Sequence, residues 1–282
     1  MGKRLNILVL GGRGFLGKAV CIELKEHIVF TFDRNLGNNK HMQGSIENLN
    51  DLKKTFSNIN CVVNLVGLTP VREPKNTSYY NVHVIGVKNI IEACKLNNVN
   101  KLIHVSALGA DKNSKIEYIK TKGLAEELVL DSGLNINVIC PSVVYDKDSE
   151  LIKIIDKLAF TRMFPDFKSK VQPVYRGDLA RLIRLAVEGK VKEEKIEVGG
   201  LDKMTMFNMA EKIYEKKGYS CRKIPIQLVL SLMGLVKLFK LFGITDNQIK
   251  IINLDNVTDS KTAEKYVKLI RFDDWINKTS FN

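Results

Sequence analysis

The chain has 282 residues, 45% hydrophobic and 27% charged, a globular composition with ample length to bury a core. No apolar stretch is long and charge-free enough to read as a bilayer span, and residues 5–10 are too short for a secretory signal before they run into glycines. The formal charge of +13 comes from lysines dispersed among acids, as in VEGKVKEEKIE, with no aromatic-interleaved basic stripe; this is a solvated surface, and no nucleic-acid partner is expected.

In chain order, β-rich runs alternate with helical patterns. NILVL (6–10), IVFTF (28–32), CVVNLV (61–66), KLIHVS (101–106) and NINVIC (135–140) read as strands, and 14–25, 48–56, 77–97 and 117–131 as helices. Repeated strand–helix alternation implies right-handed crossovers and a parallel sheet covered on both faces, the α/β doubly wound class. Near-continuous apolarity of the strands agrees with burial on both sides. Past Pro141 the pattern loosens into a helix near 150–160, the run VQPVY, a helix at 178–188 and the strand KIEVG; from Met206 it is mostly helical. Residues 1–148 therefore read as one domain, with 173–199 returning to it. The rest of 149–282 reads as a smaller, mostly helical lobe. Cys21, Cys61, Cys94, Cys140 and Cys221 lack paired spacing and read as reduced thiols, not a metal or disulfide framework. His27, His41, His83 and His104 are equally dispersed, and no metal site is expected.

The stretch LVLGGRGFLGKAV places Gly11, Gly14 and Gly17 at spacings of three between a strand and a helix. Gly11 suits the tight turn, Gly14 a close approach of backbone to a pyrophosphate, and Gly17 close packing of the helix. The pyrophosphate would rest on free N–H groups at the helix start. Asp33 ends the second strand, where an acid can accept the adenosine ribose hydroxyls. Arg13 and Arg34 lie where they could hold a 2′-phosphate, which Asp33 would repel. The cofactor read from this stretch is NAD(P), with the balance tipped slightly to NAD.

These segments resemble the short-chain dehydrogenase/reductase superfamily in its extended and atypical branches. The likeness rests on the glycine spacing, NLVG (64–67) and NVHVIGVKNIIEACKLNNVNKLIHVSALGAD (81–111). It rests also on PSVVY (141–145), QPVYRGDLA (172–180), VGG (198–200) and ITDNQIKIINLDN (244–256). It runs from Leu5 to Trp275 and is nearest to the group containing the nucleotide-binding accessory subunit of respiratory complex I. The resemblance implies a Rossmann-like sheet, NAD(P) binding and a C-terminal lobe over the cofactor. By position, Gly11, Arg13, Gly14, Phe15, Leu16 and Gly17 would line the pyrophosphate, and Asp33 and Arg34 would meet the adenosine ribose. Ser45 and Ile46 would sit beside adenine, although Ser45 replaces a common Asp. Val66 and Gly67 would run under the cofactor, with Pro141, Ser142 and Val143 near the nicotinamide.

Tyr118 and Lys122 share one helix face at a spacing of four. In the superfamily's YxxxK arrangement the tyrosine is the general acid/base. The lysine binds the nicotinamide ribose and lowers the phenol pKa. Ser106 is the candidate for the carbonyl-polarising hydroxyl, but in competent relatives that group sits slightly further on, where this chain has Ala107 and Leu108. Two functions follow from the resemblance. One is an oxidoreductase moving hydride between nicotinamide and a carbonyl or alcohol, of nucleotide-sugar epimerase or dehydratase type. The other is a non-catalytic NAD(P)-binding assembly or sensor subunit of a larger, membrane-associated complex. The expected location is cytoplasmic or peripheral at a membrane. IPIQLVLSLMGLVKLFKLFG (224–243) reads as a helix with one narrow polar stripe. It either packs on its own domain or docks on a membrane surface or protein partner, with Lys237 and Lys240 flanking its apolar face.

Overall fold

The computed structural model describes residues 4–35, 41–70, 76–225, 227 and 250–281. Strands β1 (Asn6–Leu10), β2 (Ile28–Asp33), β3 (His41–Gln43), β4 (Cys61–Asn64), β5 (Lys101–Val105) and β6 (Asn135–Pro141) join Lys195–Val198 in one seven-stranded sheet. All its pairings are parallel. From one edge the order is Lys195–Val198, β6, β5, β4, β1, β2, β3. The chain therefore winds outward in both directions from the β1–β4 boundary, and this switch point leaves a crevice beyond the carboxyl ends of the strands.

Alternation along β1 sorts the core into two layers. Ile7 and Val9 point to one face, beneath α1 (Phe15–Glu23) and the helix Arg176–Val187; Leu8 and Leu10 point to the other. That second face is covered by α2 (Leu49–Thr55), α3 (Gly86–Leu96) and α4 (Glu117–Leu130). Ala263, Val267 and Leu269, late in the chain, join the first core. A third core holds Tyr145, Ile152, Phe207, Tyr214, Phe272 and Trp275, and builds a lobe beyond the sheet. Its helix Met206–Lys216 starts on a reciprocal cap between Thr205 and Asn208.

Some boundaries differ from those read in the sequence. β3 was not expected: three residues carry too little periodicity, and its place comes from pairing with Thr31–Asp33. β4 stops at Asn64 instead of Val66, because the Asn64 side-chain oxygen takes the Val66 N–H at 3.1 Å. Ile224 ends the short strand Arg222–Ile224, paired with Met163–Pro165, rather than opening a helix. The docking reading of 224–243 otherwise lies outside the described residues. Among the described residues, no helix is long and apolar enough to cross a membrane.

Candidate functional site

The glycine turn caps the carboxyl end of β1. Gly11 has φ +79°, a left-handed conformation that favours glycine, and its N–H donates to the Phe32 carbonyl at 2.9 Å. A Cβ on Gly17 would run into the backbone of Gly11 and Gly12, so helix and turn touch directly. Gly12, which the spacing argument passed over, is closed in by Thr31 in the same way. Gly14 differs: a Cβ there meets only the Gly11 carbonyl, at 3.2 Å, and the residue is exposed. The start of α1 has no capping side chain, so its first N–H groups are left to an anion.

A cavity of about 220 Å³ opens at the switch point, lined from the predicted set by Gly11, Gly14, Asp33, Arg34, Ser45, Ile46, Val66 and Gly67. Phe32, Gly44, Glu47, Leu65, Leu68 and Val82 complete it and were not anticipated. The Asp33 carboxylate accepts the Arg13 backbone N–H at 3.2 Å, and the Arg13 guanidinium reaches the Asn35 carbonyl at 3.4 Å. Burial raises the Asp33 carboxyl above its ordinary pKa, opposed by the Arg13 N–H and by the charges of His41 and Arg13. The Ser45 hydroxyl accepts the Glu47 N–H at 3.2 Å, while Asp51 holds the Ser45 N–H at 3.0 Å. This serine thus shapes the loop. Phe15 lies under the Arg176 guanidinium, 4.7 Å from its ring centroid, and Leu16 packs against the first core.

The second half of the site sits on α4. Tyr118 is half-buried, in edge contact with Tyr79 and His83 at ring-centroid distances of 5.7 and 5.8 Å. Its phenol is pushed above the ordinary range by burial first and then by Tyr79, the reverse of the lowering expected from Lys122. Lys122 is buried, with its Nζ 3.4 Å from the Val105 carbonyl and 3.1 Å from where a Cβ on Gly67 would stand. Burial lowers its pKa to about 8, against the acidic neighbours Cys140 and Glu126. The lysine therefore lies under the loop after β4.

Ser106 and His104 are both buried, and the Ser106 Oγ and His104 Nε2 have no hydrogen-bond partner among the described residues. Asn64 donates to His104 Nδ1 at 3.0 Å, leaving the proton on Nε2. A lone buried donor and hydroxyl beside Lys122 suit the hydroxyl-rich end of a dinucleotide better than an apolar ligand. The Ser142 hydroxyl is engaged within the fold: it donates to the Asn256 carbonyl at 2.9 Å and accepts the Gln172 N–H at 3.2 Å. The Pro141 carbonyl accepts the Leu108 N–H at 2.9 Å, and Val143 packs against the lobe core. Val143 thus joins the end of β6 to the lobe.

A parallel sheet with a glycine turn, an acid ending β2 and a switch-point cavity defines an NAD(P)-binding Rossmann-like domain. Residues 7–126 match the model of the NAD dependent epimerase/dehydratase family. The chain is 25% identical over 229 residues to NADH dehydrogenase (ubiquinone) 1 alpha subcomplex subunit 9, mitochondrial, of Arabidopsis thaliana, covering 73% of this chain and 56% of the relative. It is 27% identical over 216 residues to the 2-alkyl-3-oxoalkanoate reductase of Stenotrophomonas maltophilia, covering 65% and 66%. The chain thus spans little more than half the length of the complex I relatives it matches. Among solved structures it resembles the UDP-glucose 4-epimerase of Thermotoga maritima, with TM-score 0.74, 19% identity and 96% of each chain covered. That likeness is one of fold.

Proposed function

We propose that the protein is an NAD(P)-binding oxidoreductase of the short-chain dehydrogenase/reductase type, acting between a carbonyl and an alcohol. The observation that supports this reading best is one continuous line of groups. The Gly11–Gly14 turn and Asp33 lie at one end, and Gly67, Lys122 and Tyr118 at the other. When bound, the nicotinamide supplies or takes the hydride. Gly14 and the first turn of α1 bind the pyrophosphate, and Asp33 holds the adenosine ribose. Lys122 donates to the nicotinamide ribose. Tyr118, protonated at neutral pH as any phenol of ordinary pKa is and held further above that range by burial, gives its proton to the substrate oxygen, so the residue enters as an acid in carbonyl reduction.

The test is calorimetry with NAD and NADP on the wild type and Gly14→Val. A Cβ at Gly14 meets the Gly11 carbonyl at 3.2 Å, a contact the turn must ease by a few tenths of an ångström, and the valine side chain stands where the pyrophosphate would lie. Loss of at least about tenfold in affinity, some 1.4 kcal/mol, is the expected result. An unchanged affinity in a folded variant sinks the reading.

Asp33→Asn retains an acceptor for the Arg13 N–H but removes the charge that repels a 2′-phosphate. The ratio of NADP to NAD affinity is expected to rise about tenfold. A ratio that stays level would show that Arg13 and Arg34 already set the preference.

A second reading, a dinucleotide-binding subunit of a respiratory assembly without turnover, is favoured by Ala107 and Leu108, which stand where the resemblance places the catalytic hydroxyl of competent relatives. The complex I relatives favour it as well. Dinucleotide binding without reduction of any carbonyl in a broad panel would decide for it.

A further inference from the structure

The loop after β4 and the helix that carries Tyr118 and Lys122 are far apart in sequence, and one side chain joins them. Residues Asn81–Ile85 form a wide π turn leading into α3, with the Gly86 N–H bonded to the Asn81 carbonyl five residues back. Such turns insert a residue into a helix and redirect its side chains. In the middle of this one lies His83, 2% exposed. Its Nε2 accepts the Leu68 N–H at 3.0 Å, and its Nδ1 lies 2.9 Å from the Thr121 hydroxyl. Thr121 donates its own proton to the Glu117 carbonyl at 2.9 Å. The network therefore fixes one tautomer, with Nδ1–H donating to Thr121 and Nε2 bare toward Leu68.

We propose that His83 is a positioning residue that ties the 65–68 loop to α4, setting Lys122 beneath Gly67 and the Tyr118 ring beside the cofactor path. Its catalytic consequence rests on the dinucleotide reading above. Three further contacts support it. The Tyr118 ring meets His83 edge-on at 5.8 Å, and Tyr79 closes the cluster at 5.6 Å from His83. A Cβ on Gly67 would lie 3.1 Å from Lys122 Nζ and 3.7 Å from His83 Nε2, so loop, histidine and lysine share one point. Burial, with the Lys122 charge and the His104 ring nearby, lowers the His83 pKa to about 2, so both bonds persist through the neutral range.

The experiment compares His83→Leu, which loses both bonds, with His83→Gln, whose amide can accept from Leu68 and donate to Thr121. Thr121→Val removes only the far anchor. Amide exchange at Leu68 is followed by NMR without dinucleotide, and NAD(P) affinity by calorimetry. With any substrate that turns over, kcat and KM are separated. His83→Leu is expected to speed Leu68 exchange and weaken dinucleotide binding, each by about tenfold. It should also lower kcat more than it raises KM, and His83→Gln should recover most of each effect. Unchanged Leu68 exchange in His83→Leu, or a Gln variant no better than Leu, overturns the proposal. If His83→Leu does not fold, faster exchange in Thr121→Val than in His83→Gln supports it and the reverse order overturns it. A wild type that binds no dinucleotide overturns the proposed function, while Leu68 exchange still decides the tie.

Discussion

Tyr118→Phe is expected to lower the rate of carbonyl reduction by roughly two to four orders of magnitude while leaving dinucleotide affinity nearly intact. The substitution keeps the ring that packs against Tyr79 and His83 and removes only the hydroxyl. The size of the effect follows from the proton: without an acid at the substrate oxygen, the developing alkoxide must be quenched by water. A phenol is protonated at neutral pH at its ordinary pKa, and burial raises that pKa further, so the wild type enters the reductive direction already charged with the proton it must give. In the reverse direction the same shift makes Tyr118 a weak base, and alcohol oxidation should gain rate steadily as pH rises. Lys122→Ala should impair binding and turnover together, since the ammonium lies below Gly67 in the floor of the cofactor path. Single-turnover measurements on the three proteins check this. A reductase indifferent to Tyr118→Phe would remove the residue from the mechanism.

Acidification from pH 7.5 to 5 is expected to remove about 4 kcal/mol of folding stability through two histidines alone. His83 is held at a pKa of about 2 and His104 at about 3, by burial first and then by the Lys122 charge. In the unfolded chain each titrates near the ordinary value of about 6.5. The sign follows from proton counts. Below about 6.5 the unfolded state binds protons that the native state refuses, so each histidine's contribution is present in full above that pH. It is lost as pH falls toward the folded values, at up to about 1.4 kcal/mol per pH unit for each ring. Chemical denaturation across this range gives the slope. His83→Gln has no titrating ring at 83 and should lose about 2 kcal/mol less than the wild type over the same interval. Equal losses in the two proteins would show that His83 is protonated in the fold, which its acceptor bond from Leu68 forbids.

Local sequence by itself determined the sheet and the turn. The run from Asn6 to Leu10 alternates its side chains between two faces, and both faces are apolar, so it has to be an interior strand. The glycine spacing, with Asp33 at the end of β2, marks the dinucleotide crevice because turn geometry and helix packing act over a few residues. The family resemblance, and no local pattern, singled out Tyr118 and Lys122 as candidates. The tertiary structure decided the rest, wherever a residue's role depends on partners from distant segments. The Ser142 hydroxyl takes its partners from Asn256 and Gln172, 114 and 30 residues away. Late residues around Ala263 fill the core of the first face, which no local pattern announces. The Tyr118 phenol rises rather than falls because its neighbours are Tyr79 and buried surface. His83, one of four scattered histidines in the sequence, takes its place only when crossovers bring Leu68 and Thr121, 15 and 38 residues away, to its two ring nitrogens. Periodicity and turn chemistry are written within a few residues, whereas a buried side chain's partners and pKa are set by whatever the crossover connections fold against it.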